Sequence, residues 1–186
     1  MKKFFLLSIC TLHFLSGKAQ LYSCKEGVIS FFSEAPLENI DALNKNVNSF
    51  LNLTTDEVVF LVAIRGFKFD KDLMEEHFNE KYLESDKYPT ATFSGKINEK
   101  GEAAKRGIHN VTVTGKLNMH GVEREITVPG NIITTEDTIK VRCLFDVALK
   151  DYKITVPKLV FQSISKTVTV KVNAAYTIYK KDDEKK

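Results

Sequence analysis

Residues 69–95, FDKDLMEEHFNEKYLESDKYPTATFSG, carry a strand end, an amphipathic helix, a tight loop and the start of a further strand. Asp70 is placed to cap the helix, because its carboxylate can accept a main-chain N–H of the first turn and suits the positive end of the helix dipole. At about 3.6 residues per turn, Leu73, Met74, His77 and Phe78 share one stripe, while Lys71, Asp72, Glu75, Glu76 and Asn79 lie off it. Such a stripe requires an apolar surface beneath it. Pro89 pushes Tyr88 out of helical geometry, and Ala91-Thr92-Phe93 then alternates as a strand.

On both sides of this helix the chain reads as β. Upstream, Leu21 to Phe32 is strand-like, with Val28-Ile29-Ser30-Phe31-Phe32 apolar on both faces, and Pro36 ends it. Leu37 to Asn46 spaces Leu37, Ile40 and Leu43 as a short helix or turn would, before Val47, Ser49, Leu51 and Leu53 alternate. Glu57 to Ile64 is β-branched and apolar on both sides, as in a strand covered on both faces, and Phe67 and Phe69 then share a face.

Downstream, Val111, Val113, Gly115, Leu117 and Met119 point one way and Thr112, Thr114, Lys116, Asn118 and His120 the other. Gly121 turns the chain into Val122, Arg124, Ile126 and Val128, a return strand closed by Pro129-Gly130. Ile139, Val141, Cys143, Phe145, Val147 and Leu149 form a further period-two strand, and Val168 to Ile178 the last. Seven or eight antiparallel strands make a barrel or a sandwich. The two-faced strands and the 13 Phe in a chain without Trp indicate a large apolar interior. That interior is either a packed core capped by the helix or a closed barrel of roughly eight strands holding one small ligand.

Lys2 and Lys3 precede an apolar run from Phe4 to Leu15, and Gly17-Lys18-Ala19 places small residues where a signal peptidase reads. Residues 1–19 are therefore expected to be a cleaved signal peptide, 20–180 one β-barrel domain and 181–186 a charged flexible tail. A periplasmic or secreted location follows. Ile9 is too bulky before Cys10 for a lipoprotein signal, and no later run reaches the roughly 20 apolar residues of a membrane span, so no stable membrane anchor is expected. Loss of Lys2, Lys3 and Lys18 from the 27 basic residues leaves 24 against 24 acidic ones. A neutral mature chain gives no warrant for nucleic-acid binding. Cys24 and Cys143 are a candidate disulfide in an oxidising compartment, although Cys143 between Val141 and Phe145 also reads as a small buried hydrophobe.

No catalytic constellation stands out. Of the histidines beyond the leader, His77 lies on the helix stripe, His120 in the turn Asn118-Met119-His120-Gly121, and His109 apart from both. Glu75-Glu76-His77 lacks the paired histidines of a helical zinc site, and there is no Gly-x-Ser-x-Gly elbow or phosphate-binding glycine loop. Glu75-Glu76 and Asp182-Asp183 read as solvated charge. Neither a metal nor an enzymatic role is expected.

Two blocks resemble the YceI-like family of lipocalin-like barrels that bind polyisoprenoids and related lipids. The first is His77-Phe78 followed by Tyr88-Pro89-Thr90-Ala91-Thr92-Phe93; the second is Val113-Thr114-Gly115-Lys116-Leu117-Asn118-Met119-His120-Gly121-Val122 followed by Ile126-Thr127-Val128-Pro129. Residues 29–37, ISFFSEAPL, stand in place of the family's glycine-rich opening strands. The resemblance implies an all-β, antiparallel barrel of about eight strands with the short helix by its mouth and a long apolar ligand in its lumen. The implied ligand is a polyisoprenoid, a quinone or a fatty-acid-like molecule, carried or stored, with no other cofactor. His77, His120, Arg65 and Tyr88 are then candidates for the head group, and Phe31, Phe60, Phe67, Phe69, Phe78, Phe93 and Met119 for the lining. The competing expectation is an envelope scaffold or interaction module whose barrel is filled by phenylalanines. A homodimer is compatible with either.

Overall fold

The computed structural model describes residues 21–34, 39–155 and 165–180. The expected leader, Pro36 with Leu37, and the charged tail lie outside the described residues. The elements are β1 (Leu21–Ser33), β2 (Ile40–Asn52), β3 (Glu57–Ala63), β4 (Lys68–Phe69), α1 (Asp72–His77), β5 (Thr90–Ile97), β6 (Gly107–Met119), β7 (Val122–Thr134), β8 (Ile139–Ala148) and β9 (Thr167–Ile178). Around the sheet the order is β1, β9, β8, β7, β6, β5, β3, β2, and β2 pairs back onto β1. This closes an antiparallel barrel of eight strands. The two-residue β4 adds to β2.

The helix starts at Asp72, with Lys71 at the cap position and no side chain capping it, so Asp70 lies one residue too early for the expected role. From Phe78 to Tyr82 the coil widens, and the Leu83 N–H donates to the Phe78 carbonyl five residues back at 2.9 Å. No helix among the described residues is long and apolar enough to cross a membrane.

The expected helix or turn before Asn46 is instead the first half of β2. Ala42 and Asn44 are buried, then Val47, Ser49 and Leu51, so the inward alternation skips one residue. The β1–β2 register steps from Ile29–Asn44 to Gly27–Val47 at that point. A bulge of this kind inserts an extra residue and breaks the period of two. Asn44, fully buried, holds it: Oδ1 accepts the Asn46 N–H and Nδ2 donates to the Ala63 carbonyl, each at 3.0 Å.

Two further expectations change. Val59 and Leu61 on β3 are 41% and 46% exposed, so the strand is covered on its inner face only. A one-layer barrel has nothing to pack outside its wall. Pro129 and Gly130 lie inside β7, which runs on to Thr134. The β6–β7 turn is the two-residue pair His120-Gly121, with φ of 53° and 71°, matching the twist of the strands it joins.

Buried side chains form two clusters. One, including Ile64, Phe67, Phe78, Leu83 and Tyr152, lies under α1; the other, including Leu51, Ile97, Ile132, Ile139 and Tyr176, fills the opposite end. There the fully buried Tyr176 shares a 2.6 Å hydrogen bond with Ser49 Oγ, which donates to the Val59 carbonyl at 2.7 Å. Burial pushes the Tyr176 phenol far up, so it stays neutral and keeps its proton for this bond.

Between the clusters the wall is thinned by Gly95 and Gly115, which face each other across β5 and β6. The Phe93 ring lies against both: a Cβ at Gly95 would be 2.6 Å from it and one at Gly115 2.8 Å, the latter nearer still to the Gly95 Cα and the Ser94 carbonyl oxygen. The ring can lie flat on the wall because no side chain occupies either position. Gly115→Ala, whose Cβ would meet the main chain of Ser94 and Gly95 before the ring, should force β5 and β6 apart as well as displace the ring and cost about 1–3 kcal/mol, the usual penalty of overpacking; urea denaturation at unchanged m-value is the measurement.

Candidate functional site

The residues that alternation turns inward enclose a cavity of about 440 Å³ along the barrel axis, within the roughly 300–1,000 Å³ of small-molecule sites. Among the described residues, the phenylalanine ring contacts inside the barrel are confined to its helix end. Four rings, Phe31, Phe67, Phe69 and Phe78, gather there, with Phe31–Phe67, Phe31–Phe78 and Phe69–Phe78 centroids 5.4, 5.5 and 5.0 Å apart. Stacked and tilted contacts at these separations favour a fixed cluster. Leu73, Met74, His77 and Phe78 of the helical segment close over it, so the amphipathic stripe forms the roof of the cavity.

Eight of the candidate residues line this space: Phe31, Phe60, Phe67, Phe69, His77, Phe78, Phe93 and Met119. The other three do not. Arg65 pairs with Asp86 at 2.5 Å on the outer surface, where both are mostly exposed. Both ring nitrogens of His120 face acceptors, Nδ1 the Tyr152 carbonyl and Nε2 the Glu84 Oε2, each at 2.9 Å. Tyr88 packs edge-on to His120 with ring centroids 4.7 Å apart and covers Gly121. These two belong to a clasp that ties the loop after α1, the β6–β7 turn and the Leu149–Tyr152 turn together. The positive φ of His120 aims its ring out of the hairpin and toward these partners, away from the lumen.

Reading residue types missed the wall opposite. Val141, Cys143, Phe145 and Val147 of β8 and Val168, Val170 and Val172 of β9 line the cavity, as do Tyr82 and Leu117. The signal was the strict alternation of both strands, together with the side from which Met119 and Phe93 are seen. Cys24 and Cys143 are free thiols. Cys143 is level with Val172 and, through it, Ile29, whereas Cys24 lies five residues further along β1 in the opposite cluster, so the register keeps the candidate disulfide apart. Burial pushes the Cys143 thiol up to about 11. Burial likewise raises the Tyr82 phenol. The remaining histidine, His109, pairs with Glu102 at 2.8 Å outside the cavity. Among the described residues no group of three His, Cys, Asp or Glu side chains could hold a metal.

An eight-stranded barrel roofed by one helix and lined in this way matches a known domain family: residues 27–176 fit the YceI-like domain. The chain belongs to the YceI-like family. Solved structures of the same shape include a polyisoprenoid binding domain from Saccharophagus degradans, 18% identical, with a TM-score of 0.75 over 87% of this chain and all (100%) of that one. Burkholderia cenocepacia BcnA is 16% identical with a TM-score of 0.63, covering 80% of this chain and 95% of its own. The Campylobacter jejuni YCEI protein is 13% identical, also at 0.63, over 79% and 90%. No curated protein matches the chain in sequence. At such identities the neighbours share the YceI fold, and the lining side chains are this chain's own.

The clasp gives a direct check on the role of His120, whose side chain is 10% exposed. His120→Ala should cost about 1–3 kcal/mol through the unpaired Tyr152 carbonyl, read by urea denaturation, while leaving the affinity of apolar probes for the lumen unchanged. A selective loss of probe affinity at native stability would instead make His120 a binding residue.

Proposed function

We propose that this YceI-like protein is a non-enzymatic carrier or store for one long apolar molecule, an isoprenoid-like lipid, a quinone or a fatty-acid-like chain, held in the barrel lumen. One observation carries the reading: among the described residues four phenylalanine rings gather at the helix end and a fifth lies on the wall, and an apolar cavity remains. Each methylene moved from water into such a space contributes about 0.8 kcal/mol, so several isoprene units outweigh the cost of ordering the guest. The Saccharophagus degradans neighbour, described as a polyisoprenoid binding domain, supports the ligand class. His77, which has no hydrogen bond to any described residue, is the roof's polar candidate for contact with the guest. The lysine-flanked apolar leader supports a periplasmic or secreted site of action.

Organic extraction of purified protein followed by mass spectrometry should return a long-chain apolar compound in stoichiometric amount. Protein that is reproducibly empty and does not bind farnesol or acyl probes would end the reading.

Cys143 supplies an internal reporter. With its thiol at about 11 against an ordinary 9.0, the reactive thiolate at pH 8 is roughly a hundredfold scarcer than usual. Alkylation by iodoacetamide in a Cys24→Ala background should thus be slow, rise with pH through pH 10, and be suppressed by saturating farnesol. Alkylation at the same rate with and without farnesol would show that the probe does not occupy the lumen.

A further inference from the structure

The β7–β8 ladder runs from Thr134–Ile139 to Gly130–Cys143 and stops there, although β7 extends back to Val122 and β8 on to Ala148. On their other sides both strands stay paired to the end, β7 with β6 as far as Val122 and β8 with β9 as far as Ala148. The wall is therefore parted along one seam between two strands that are otherwise held.

Pro129 accounts for the parting. Met119 and Val122 close a two-residue hairpin and exchange main-chain bonds, so the alternation of an antiparallel ladder makes Thr112–Pro129 a pair that does not. Thr112 bears this out, since its N–H donates to Glu99 Oε2 at 2.8 Å. The Pro129 nitrogen consequently faces β8, where the next rung, to Leu144, requires an N–H that proline lacks.

The seam opens into a pocket of about 640 Å³. Ile126, Val128, Pro129, Phe145 and Val147 line both this pocket and the central cavity, so the two spaces adjoin. By the same alternation the main-chain N–H and C=O groups of Glu125 and Thr127 look across the slit at those of Leu144 and Asp146, with no strand partner among the described residues. They offer hydrogen bonds beside a cavity that is otherwise almost wholly apolar. At the far end Arg124 Nε donates to the Asp151 carbonyl at 3.2 Å and bounds the slit. The charged side chains around it are Arg124 against Glu125, Asp146 and Asp151, a balance that disfavours a phosphorylated group.

We propose that this slit is the subsite for the polar end of the lumen's ligand, and that this end is an uncharged hydrogen-bonding group, a hydroxyl or a quinone-type carbonyl. The inference rests on the carrier reading above and adds where the head group lies and what it is. A farnesyl chain bearing benzophenone at its head end, photolysed in the full-length protein and mapped by mass spectrometry, should label 124–129 and 144–148 and be displaced by farnesol. Label confined to 72–83 would put the head group under the helix and overturn the side subsite while leaving the carrier reading intact; absence of any displaceable label would remove both. Pro129→Val, which restores the missing N–H, should protect the Leu144 and Thr127 amides from exchange and weaken farnesol binding about tenfold, the equivalent of one lost hydrogen bond. Unchanged affinity with the seam closed would overturn the proposal. Farnesyl diphosphate should compete at least about tenfold less well than farnesol; equal or better competition would overturn the assignment of an uncharged head.

Discussion

Closure of the sheet is the constraint on which everything else in this molecule depends. Once β2 pairs back onto β1, the sheet has no free edge, its main-chain groups are paired except along the parted stretch of β7 and β8, and alternate side chains have no choice but to point into a shared interior. The interior of an eight-stranded barrel is narrow enough for side chains to fill it. Whether it is filled depends on a few positions at which the wall is made thin or its aromatic residues are drawn aside.

Three local devices decide that here. Gly95 and Gly115 let the Phe93 ring lie against the wall, the aromatic cluster beneath the helix collects four more rings at one end, and the Ser49–Tyr176 pair seals the other. The bulge at Asn44 resets the phase of β2 so that both its halves present small or apolar groups inward. Without that reset, the second half of the strand would turn Asn46, Asn48 and Asn52 toward the lumen. Several polar side chains near the cavity, Asn44 and His120 among them, hold elements in place. His120 is one of these: its two hydrogen bonds join three loops at the mouth.

The helix and the clasp complete one another. The stripe of Leu73, Met74, His77 and Phe78 roofs the lumen, but a helix of this length has little stability by itself. It is anchored instead by packing on the phenylalanine cluster and by the loop that follows it, where Glu84 meets His120. Closure of the cavity at that end therefore depends on how firmly the loop is held.

Local pattern by itself determined the period-two strands from Val111 onward, the amphipathic helix, and the apolar character of the interior, because alternation and helical spacing are properties of neighbours in the chain. It also determined the residue types that point to the YceI-like family. Only the tertiary structure decided which face of each strand looks inward, since parity groups residues without assigning them a side. The same holds for β2, whose bulge hid a continuous strand behind a broken pattern, and for Arg65, Tyr88 and His120, whose chemistry suited a ligand but whose partners lie outside the lumen. Cys24 and Cys143 were near in neither sense: register around a closed barrel sets that distance, and no spacing along the chain encodes it.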